Sequence, residues 1–160
     1  MKAALLVVDM QKEFFGEEGS KPSLMAAVEY INYSMDIFRK AGCPVIVVQD
    51  SEAQGEGFQV YEGLTVQPGD ARIVKDYGNA FWKTELEELL HKQGIEFVAI
   101  CGYAAEYCIH ATYNGARERD FEPTLIQHAI AGPNPQHVGF IQNICRTTSI
   151  MVLDYFLNGK

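Results

Sequence analysis

The segment VAICGYAAEYC at residues 98–108 indicates most clearly how this 160-residue chain folds. Its apolar beginning predicts a buried strand, and the small residues from Gly102 onward predict a turn. Its end predicts the start of a helix. Cys108 is therefore expected on the first turn of that helix, where the helix dipole and unpaired backbone N–H groups favour a thiolate. Because the thiolate is the reactive form of cysteine, the segment predicts a nucleophile.

Apolar runs alternate with amphipathic stretches along the rest of the chain. Buried strands are predicted at residues 3–8, 45–48, 97–100, 124–126 and 150–153. Helices are predicted at residues 23–40, 84–92, 106–119 and 135–146, and a long loop is predicted at residues 50–70. Continuous apolar strands that alternate with helices predict an α/β fold: a three-layer αβα sandwich with a mostly parallel, Rossmann-like sheet. The segment TELE, residues 84–87, is expected to open its helix as a capping box.

Charged side chains follow three of the apolar runs. Asp9 comes directly after the first strand, Asp50 follows the second, and Lys75 ends a short apolar run. Right-handed crossovers place the C-terminal ends of parallel strands on one edge of the sheet, where folds of this kind bind their ligands. We therefore expect these side chains to meet the Cys108 turn at that edge, and this convergence favours an enzyme.

Each of these residues also has a purely structural interpretation. A buried cysteine is more often a small apolar side chain, an acid after a strand can cap a loop, and a lone lysine is most often a solvated charge. Asp50, taken alone, is interpreted as such a loop cap. Beside one another, Asp9 could act as general base towards the thiol of Cys108, and Lys75 could hold the carboxylate and stabilise the thiolate. Three further thiols are interpreted as structural: Cys43, Cys101 and Cys145.

Composition and charge argue against several classes of partner. The chain has 21 acidic and 13 basic residues and a net charge of −8, which disfavours nucleic acid and anionic membranes as partners. The first apolar run is too short for a signal peptide, and no run is long enough to span a membrane. The four cysteines lie far apart without metal-binding spacing, so we expect reduced thiols in a cytoplasmic protein. A single domain is expected over residues 1–160.

Three ordered segments of the chain carry a family resemblance. The first is LVVDMQKEF at residues 6–14, and the second is VK at 74–75 with AF at 80–81 and TEL at 84–86. The third is GYAAEYC at 102–108, followed by Ala111, Thr112 and Ala116. Together they resemble the isochorismatase-like cysteine hydrolases, which include nicotinamidases, N-carbamoylsarcosine amidase-like enzymes and ureidoacrylate amidases. The similarity extends from about residue 4 to about residue 132.

This resemblance implies a hydrolase with the isochorismatase-like fold and a catalytic triad of Asp9, Lys75 and Cys108. It also implies a cis peptide bond before Ala104 and an oxyanion hole formed by the backbone N–H groups of Ala104 and Cys108. A homo-oligomer, either a dimer or a tetramer, is a further implication.

Aromatic residues are the candidates for the substrate pocket. Phe14 would line it by similarity to the family's aromatic residue after the first motif. Tyr103 stands where the family more often has an aliphatic residue, and Tyr107 is a further candidate. Phe81 and Tyr113 could also line an aromatic pocket, but these two and Tyr107 are each at least as well explained as core or interface residues.

One departure from the family concerns metal. Nicotinamidases carry a metal site built from an Asp and histidines in the loop after the second strand. Here that loop begins QDSE at residues 49–52, and no histidine occurs between residues 1 and 90. We therefore predict no metal and no cofactor. The thiol of Cys108 favours hydrolysis of a C–N bond in a small amide, ureide or carbamoyl compound through a thioester.

Three alternative functions stay open at this level. The first is a non-catalytic small-molecule-binding module on the same fold, because the chain has little material for a substrate lid. The second is an isochorismatase-type ether hydrolase, which does not need acylation of a thiol. The third is a redox protein that uses Cys108 with Cys101, although their spacing does not match a CxxC motif.

Overall fold

The computed structural model describes residues 2–159, in which strands and helices alternate along the chain. The strands are β1 (Ala3–Val8), β2 (Val45–Asp50), β3 (Ala71–Lys75), β4 (Phe97–Tyr103), β5 (Glu122–Ala131) and β6 (Thr147–Thr148). The α-helices are α1 (Lys12–Phe15), α2 (Lys21–Lys40), α3 (Leu86–Lys92), α4 (His110–Arg117), α5 (Pro135–Ile144) and α6 (Ile150–Asn158). A π-helix at Ala105–Ile109 joins β4 to α4.

The six strands form one sheet in the order β3-β2-β1-β4-β5-β6, and every neighbouring pair is parallel. β1 is central: Leu5 pairs with Val45 of β2 on one side and with Ala99 of β4 on the other. The chain turns towards opposite edges of the sheet after β1 and after β4, so a crevice opens between the C-terminal ends of these two strands. The predicted α/β fold with a parallel, Rossmann-like sheet is confirmed.

Alternate side chains of the strands point into two separate apolar cores. In β1, Leu6 and Val8 pack on the face covered by α3, the π-helix, α4 and α5. Leu5 and Val7 pack on the opposite face, which α2 and α6 cover. All four side chains are fully buried, and burying each of them stabilises the fold by roughly 1.5–3 kcal/mol. The predicted three-layer αβα sandwich is therefore confirmed.

The strand predicted at residues 150–153 is wrong, because these residues begin helix α6. Ser149 caps this helix, since its hydroxyl accepts a hydrogen bond from the N–H of Val152. The sixth strand is instead the short segment Thr147–Thr148, which pairs with Leu125 and Ile126 of β5. A run of four apolar residues fits a buried strand and a short helix equally well, and here the serine cap decides between them.

The capping box predicted at residues 84–87 does not form. Helix α3 begins at Leu86, and the Thr84 hydroxyl donates to the carbonyl of Ala80 and accepts from the N–H of Leu86. Glu87 does not reach back to Thr84, because its carboxylate forms an ion pair with Arg119 at 2.9 Å. The predicted helix at 106–119 is likewise divided into the π-helix and α4.

Gly102 lets β4 pass close to β1 just before the Cys108 turn. Its φ is +119°, and a Cβ at this position would collide with the backbone oxygen of Val8. We expect Gly102→Ala to lower the free energy of unfolding by about 3 kcal/mol or more, measured by urea denaturation. Gly139→Ala in α5 is the control, because nothing lies within 4 Å of its added Cβ. If both variants are equally stable, this account of Gly102 is incorrect.

None of the helices between residues 2 and 159 combines the length and the apolar character needed to cross a bilayer.

Candidate active site

Asp9 stands at the C-terminal end of β1, inside the crevice that the sheet topology creates. Its side chain is buried, and its backbone has a φ of 53°, in the left-handed region that few residues other than glycine adopt. The Asp9 N–H donates to the carbonyl of Val48, which ties this strained residue to β2. Strain of this kind concentrates at functional sites.

Lys75 is the last residue of β3, and its side chain extends past the end of the neighbouring strand β2 to Asp9. Its Nζ lies 3.0 Å from Asp9 Oδ2 and 2.6 Å from Asp50 Oδ2, and its side chain is fully buried. One ammonium thus faces two carboxylates away from water. The interpretation of Lys75 as a solvated surface charge is wrong, since the ion pairs draw it into the protein.

Cys108 lies in the π-helix, directly after the β4 turn. Its Sγ is 3.3 Å from the Nζ of Lys75 and 3.9 Å from Oδ2 of Asp50. A carboxylate oxygen of Asp9 lies within 4.8 Å of the same sulfur. The structure therefore brings together the acid, the amine and the thiol that the sequence analysis selected from three distant segments.

The environment of this cluster changes the pKa of each of its three members. Burial raises the pKa of Asp9 to about 6, against the opposing effect of the Lys75 ammonium. Burial by itself would lower the pKa of Lys75, but the nearby Asp9, Cys108 and Asp50 more than offset it and raise that pKa. At neutral pH the amine is charged and Asp9 is mostly a carboxylate.

Cys108 rests as a thiol, contrary to the prediction that its position on a helix favours the thiolate. Burial, assisted by the negative charge of Asp9, raises the pKa of Cys108 to about 12, and the Lys75 ammonium only partly opposes this. The loss of hydration and the nearby carboxylate thus outweigh the helix N-terminus. Attack by this sulfur needs a base to remove its proton.

Asp50 does more than cap a loop, because it also belongs to the charged cluster of the site. It does cap the loop, because its Oδ1 accepts from the N–H of Glu52 at 2.9 Å, but its Oδ2 also binds Lys75. The buried amide of Gln11 fixes Asp50 in place, since it accepts from the Asp50 N–H at 2.7 Å and donates to the Asp50 carbonyl at 3.0 Å. Sequence analysis included Gln11 in the first motif but assigned it no role.

A cavity of about 180 Å³ opens in front of Cys108. The three predicted pocket residues, Phe14, Tyr103 and Tyr107, all line it. Asp9, Asp50 and Ala104 contribute to the lining, as do two glutamates that sequence analysis missed, Glu17 and Glu52. Phe81 and Tyr113 are instead buried in the core on one face of the sheet.

The two residues of the predicted oxyanion hole, Ala104 and Cys108, lie at the turn from β4 into the π-helix. The peptide bond between Tyr103 and Ala104 is cis, as the resemblance implied. The carbonyl of Ala104 accepts from the N–H of Tyr107 at 3.0 Å and from the N–H of Ile109 at 3.1 Å, on either side of Cys108. The first N–H groups of a helix often have no partner within it, and π-helices are frequent at functional sites.

Cys101 and Cys108 belong to opposite faces of the sheet. Cys101 is buried in the core beneath α2, where its thiol donates to the carbonyl of Leu6, whereas Cys108 packs against the other core. The redox hypothesis therefore has no support from the geometry. All four cysteines are free, and Cys43 and Cys145 pack against apolar side chains as predicted.

The donor set does not fit a metal ion of the nicotinamidase type. Asp9, Asp50 and Cys108 present three ligand atoms within 4.8 Å of one another. The ammonium of Lys75 already lies within 3.3 Å of Asp9, Asp50 and Cys108, so a metal ion would have to displace a buried cation. No histidine of residues 2–159 joins this group of ligand atoms.

Comparison with known proteins places the chain in a family. A family model of the isochorismatase domain matches residues 3–147, and the chain belongs to this family of hydrolases. An uncharacterised isochorismatase family protein of Bacillus subtilis, YddQ, is 28% identical over 143 residues, which cover 82% of this chain and 78% of that protein.

Two relatives of this chain carry the names of amidases. The crystal structure of N-carbamoylsarcosine amidase from Thermoplasma acidophilum superimposes with a TM-score of 0.82 at 26% identity, covering 93% of this chain and 95% of that one. Maleamate amidohydrolase of Pseudomonas putida is 24% identical over 153 residues, which cover 81% of this chain and 72% of that protein. The family thus includes amidases that act on C–N bonds outside peptides.

Proposed function

We propose that this protein is a metal-independent cysteine hydrolase that cleaves the C–N bond of a small amide, ureide or carbamoyl compound. The observation that carries the proposal is the cluster of Asp9, Lys75 and Cys108 at the floor of a small cavity. The names of the two amidase relatives support the choice of a C–N bond. The size of the cavity, about 180 Å³, suits a small molecule.

In the first step, Asp9 removes the proton of the Cys108 thiol as the sulfur attacks the carbonyl carbon. Because the thiol has a raised pKa, proton transfer and attack occur together and free thiolate does not accumulate. Lys75 keeps Asp9 charged and oriented, since its ammonium stabilises the carboxylate against the cost of burial. The backbone N–H groups of Ala104 and Cys108 donate hydrogen bonds to the carbonyl oxygen and stabilise the negative charge that develops on it.

In the second step, the tetrahedral intermediate collapses to a thioester. The C–N bond breaks, and Asp9 transfers the proton it took from sulfur to the departing nitrogen, which leaves as ammonia or an amine. Water then enters, loses a proton to Asp9 and attacks the thioester carbon. Collapse of the second intermediate breaks the C–S bond, releases the acid and returns the proton to Cys108.

Screening for ammonia release tests this proposal directly. Purified protein is incubated with a panel of small amides, ureides and carbamoyl compounds, with and without a chelator, and a Cys108→Ala variant serves as the blank. We expect at least one compound to release ammonia only with the wild-type protein and regardless of the chelator. Binding of panel compounds without turnover would support the binding module instead, and cleavage of a vinyl ether by the variant would support the ether hydrolase.

The homo-oligomer that the resemblance implies stays a prediction. The last two helices of the chain, α5 and α6, expose several large apolar side chains: Phe140, Ile144, Met151, Val152, Tyr155 and Phe156. A second copy of the chain would remove such a surface from water. We expect sedimentation velocity at micromolar concentration to give the mass of a dimer or a tetramer, and a purely monomeric boundary would contradict the prediction.

A further inference from the structure

We propose that the substrate carries a positively charged group, such as an ammonium or guanidinium ion, next to the bond that Cys108 attacks. This inference rests on the proposed function and adds the chemical class of the substrate. It comes from the charges, the hydrogen bonds and the aromatic rings of the cavity in front of Cys108.

The charged side chains that line the cavity are all acidic. Four of its nine residues are carboxylates and none is basic: Asp9, Glu17, Asp50 and Glu52. The ammonium of Lys75 lies next to the floor, but the two aspartates already share it. Within residues 2–159, neither glutamate forms an ion pair with a lysine or an arginine. The two glutamates therefore add negative charge to the cavity without a lysine or arginine in contact with them.

Glu17 is held in place by neutral groups. The hydroxyl of Ser20 donates to its Oε2 at 3.1 Å, and the hydroxyl of Tyr103 lies 3.4 Å from the same oxygen. Ser20 and Tyr103 are buried and lie 2.8 Å apart, oxygen to oxygen. These hydrogen bonds fix the direction of the carboxylate without neutralising its charge, so Glu17 is prepared for a cationic ligand.

Aromatic rings lie among the glutamates. Phe14 and Tyr103 stack with their ring centroids 4.9 Å apart, and Tyr107 stands at the rim with 65% of its surface exposed. The face of an aromatic ring attracts an ammonium or guanidinium ion and gives no such preference to an anion. Rings beside carboxylates form the kind of surface that selects organic cations.

Asp9 has one carboxylate oxygen without a partner. Oδ2 of Asp9 pairs with Lys75, whereas Oδ1 is buried and has no hydrogen-bond partner within residues 2–159. A substrate held with its scissile bond at Cys108 would place its cationic part towards the exposed Glu17 and Glu52. An anionic substrate would meet four carboxylates and is disfavoured by their repulsion.

Charged thiol reagents test this inference without knowledge of the substrate. Cys108 is treated with two methanethiosulfonates of similar size, one cationic (trimethylammonioethyl) and one anionic (sulfonatoethyl), and with the smaller neutral methyl reagent. Each rate, measured by peptide mass spectrometry, is divided by the rate of the same reagent with mercaptoethanol. We expect the cationic reagent to modify Cys108 at least tenfold faster than the anionic one, with the difference shrinking at about 0.5 M salt. Cys43, which is half-buried and outside the cavity, provides the comparison within the same chain.

Glutamine variants identify the source of the preference. Glu17→Gln and Glu52→Gln are each expected to lower the cationic-to-anionic ratio about threefold to fivefold, and the double variant to lower it about tenfold. Glu18→Gln is the matched control, because Glu18 is an exposed neighbour that does not line the cavity. A ratio near one in the wild type, a ratio unchanged in the double variant, or no reaction of Cys108 where Cys43 reacts would overturn the inference.

This test is independent of turnover. If the ratio is near one while the ammonia screen succeeds, the proposed function stands and the charge preference is wrong. If the screen fails while the ratio is high, the cavity selects cations but does not hydrolyse the compounds tested.

Discussion

Replacing Cys108 by alanine or serine is expected to lower the rate of ammonia release by a factor on the order of 10⁴ or more. Alanine removes the nucleophile, and serine offers a hydroxyl whose proton is harder for Asp9 to remove. Because Cys108 is only half-buried, we expect either change to alter the free energy of unfolding by about 1 kcal/mol. Initial rates of ammonia release and urea denaturation curves measure the two effects separately.

The control for this experiment is Cys43→Ala, which changes an equally half-buried thiol outside the cavity. Acid quenching during turnover of the wild-type protein is expected to trap an acyl group on the peptide that contains Cys108. Full activity of the alanine variant, or an acyl group found on another residue, would contradict the thioester mechanism.

Asp9→Asn is expected to lower kcat/KM by about 10²–10⁴-fold, because asparagine cannot take the proton of the thiol. Asparagine is the appropriate replacement, since it tolerates the left-handed backbone at this position better than alanine does. In the wild-type protein the base works only when it is ionised, so kcat/KM should fall as the pH drops below about 6 and level off above it. This acidic limb should be absent from whatever activity the variant retains.

The variant Asp50→Asn distinguishes the role of Asp50 from that of Asp9, the other carboxylate that faces Lys75. The negative charge of Asp50 raises the pKa of Asp9, so its removal should move the acidic limb to lower pH without abolishing it. Profiles of kcat/KM between about pH 4 and pH 9 measure both effects. An acidic limb that persists in Asp9→Asn, or one that Asp50→Asn removes altogether, would show that Asp9 is not the base.

The sequence predicted those parts of the molecule that depend on short-range patterns and on the topology of parallel sheets. Asp9 and Cys108 follow apolar strands and Lys75 ends a short apolar run, and parallel strands end at one edge, so their meeting could be anticipated. Continuous apolar runs likewise located β1, β2, β4 and β5, whereas β6 was missed. The prediction failed at residues 150–153, where a short apolar run has no period that separates strand from helix.

Other parts of the site depend on contacts between distant segments. Glu17 and Glu52 lie in loops without periodicity, and only the folded chain brings both of them to the cavity. The position of Asp50 depends on an amide 39 residues away in Gln11. The pKa of Cys108 depends on burial, which the sequence of a helix start does not report. The sequence pattern thus could not predict the course of the loops or the effect of burial on the pKa of Cys108.

Strand β3 forms the outer border of the sheet and is hydrogen-bonded to β2 alone among the strands. The amine of Lys75 tethers this border strand to the centre of the molecule, because peeling β3 away would leave two buried aspartates without their counter-ion. Lys75 therefore also stabilises the edge strand of the sheet. Local unfolding of β3 would remove Lys75 from the site, and we expect activity to be lost while most of the fold persists.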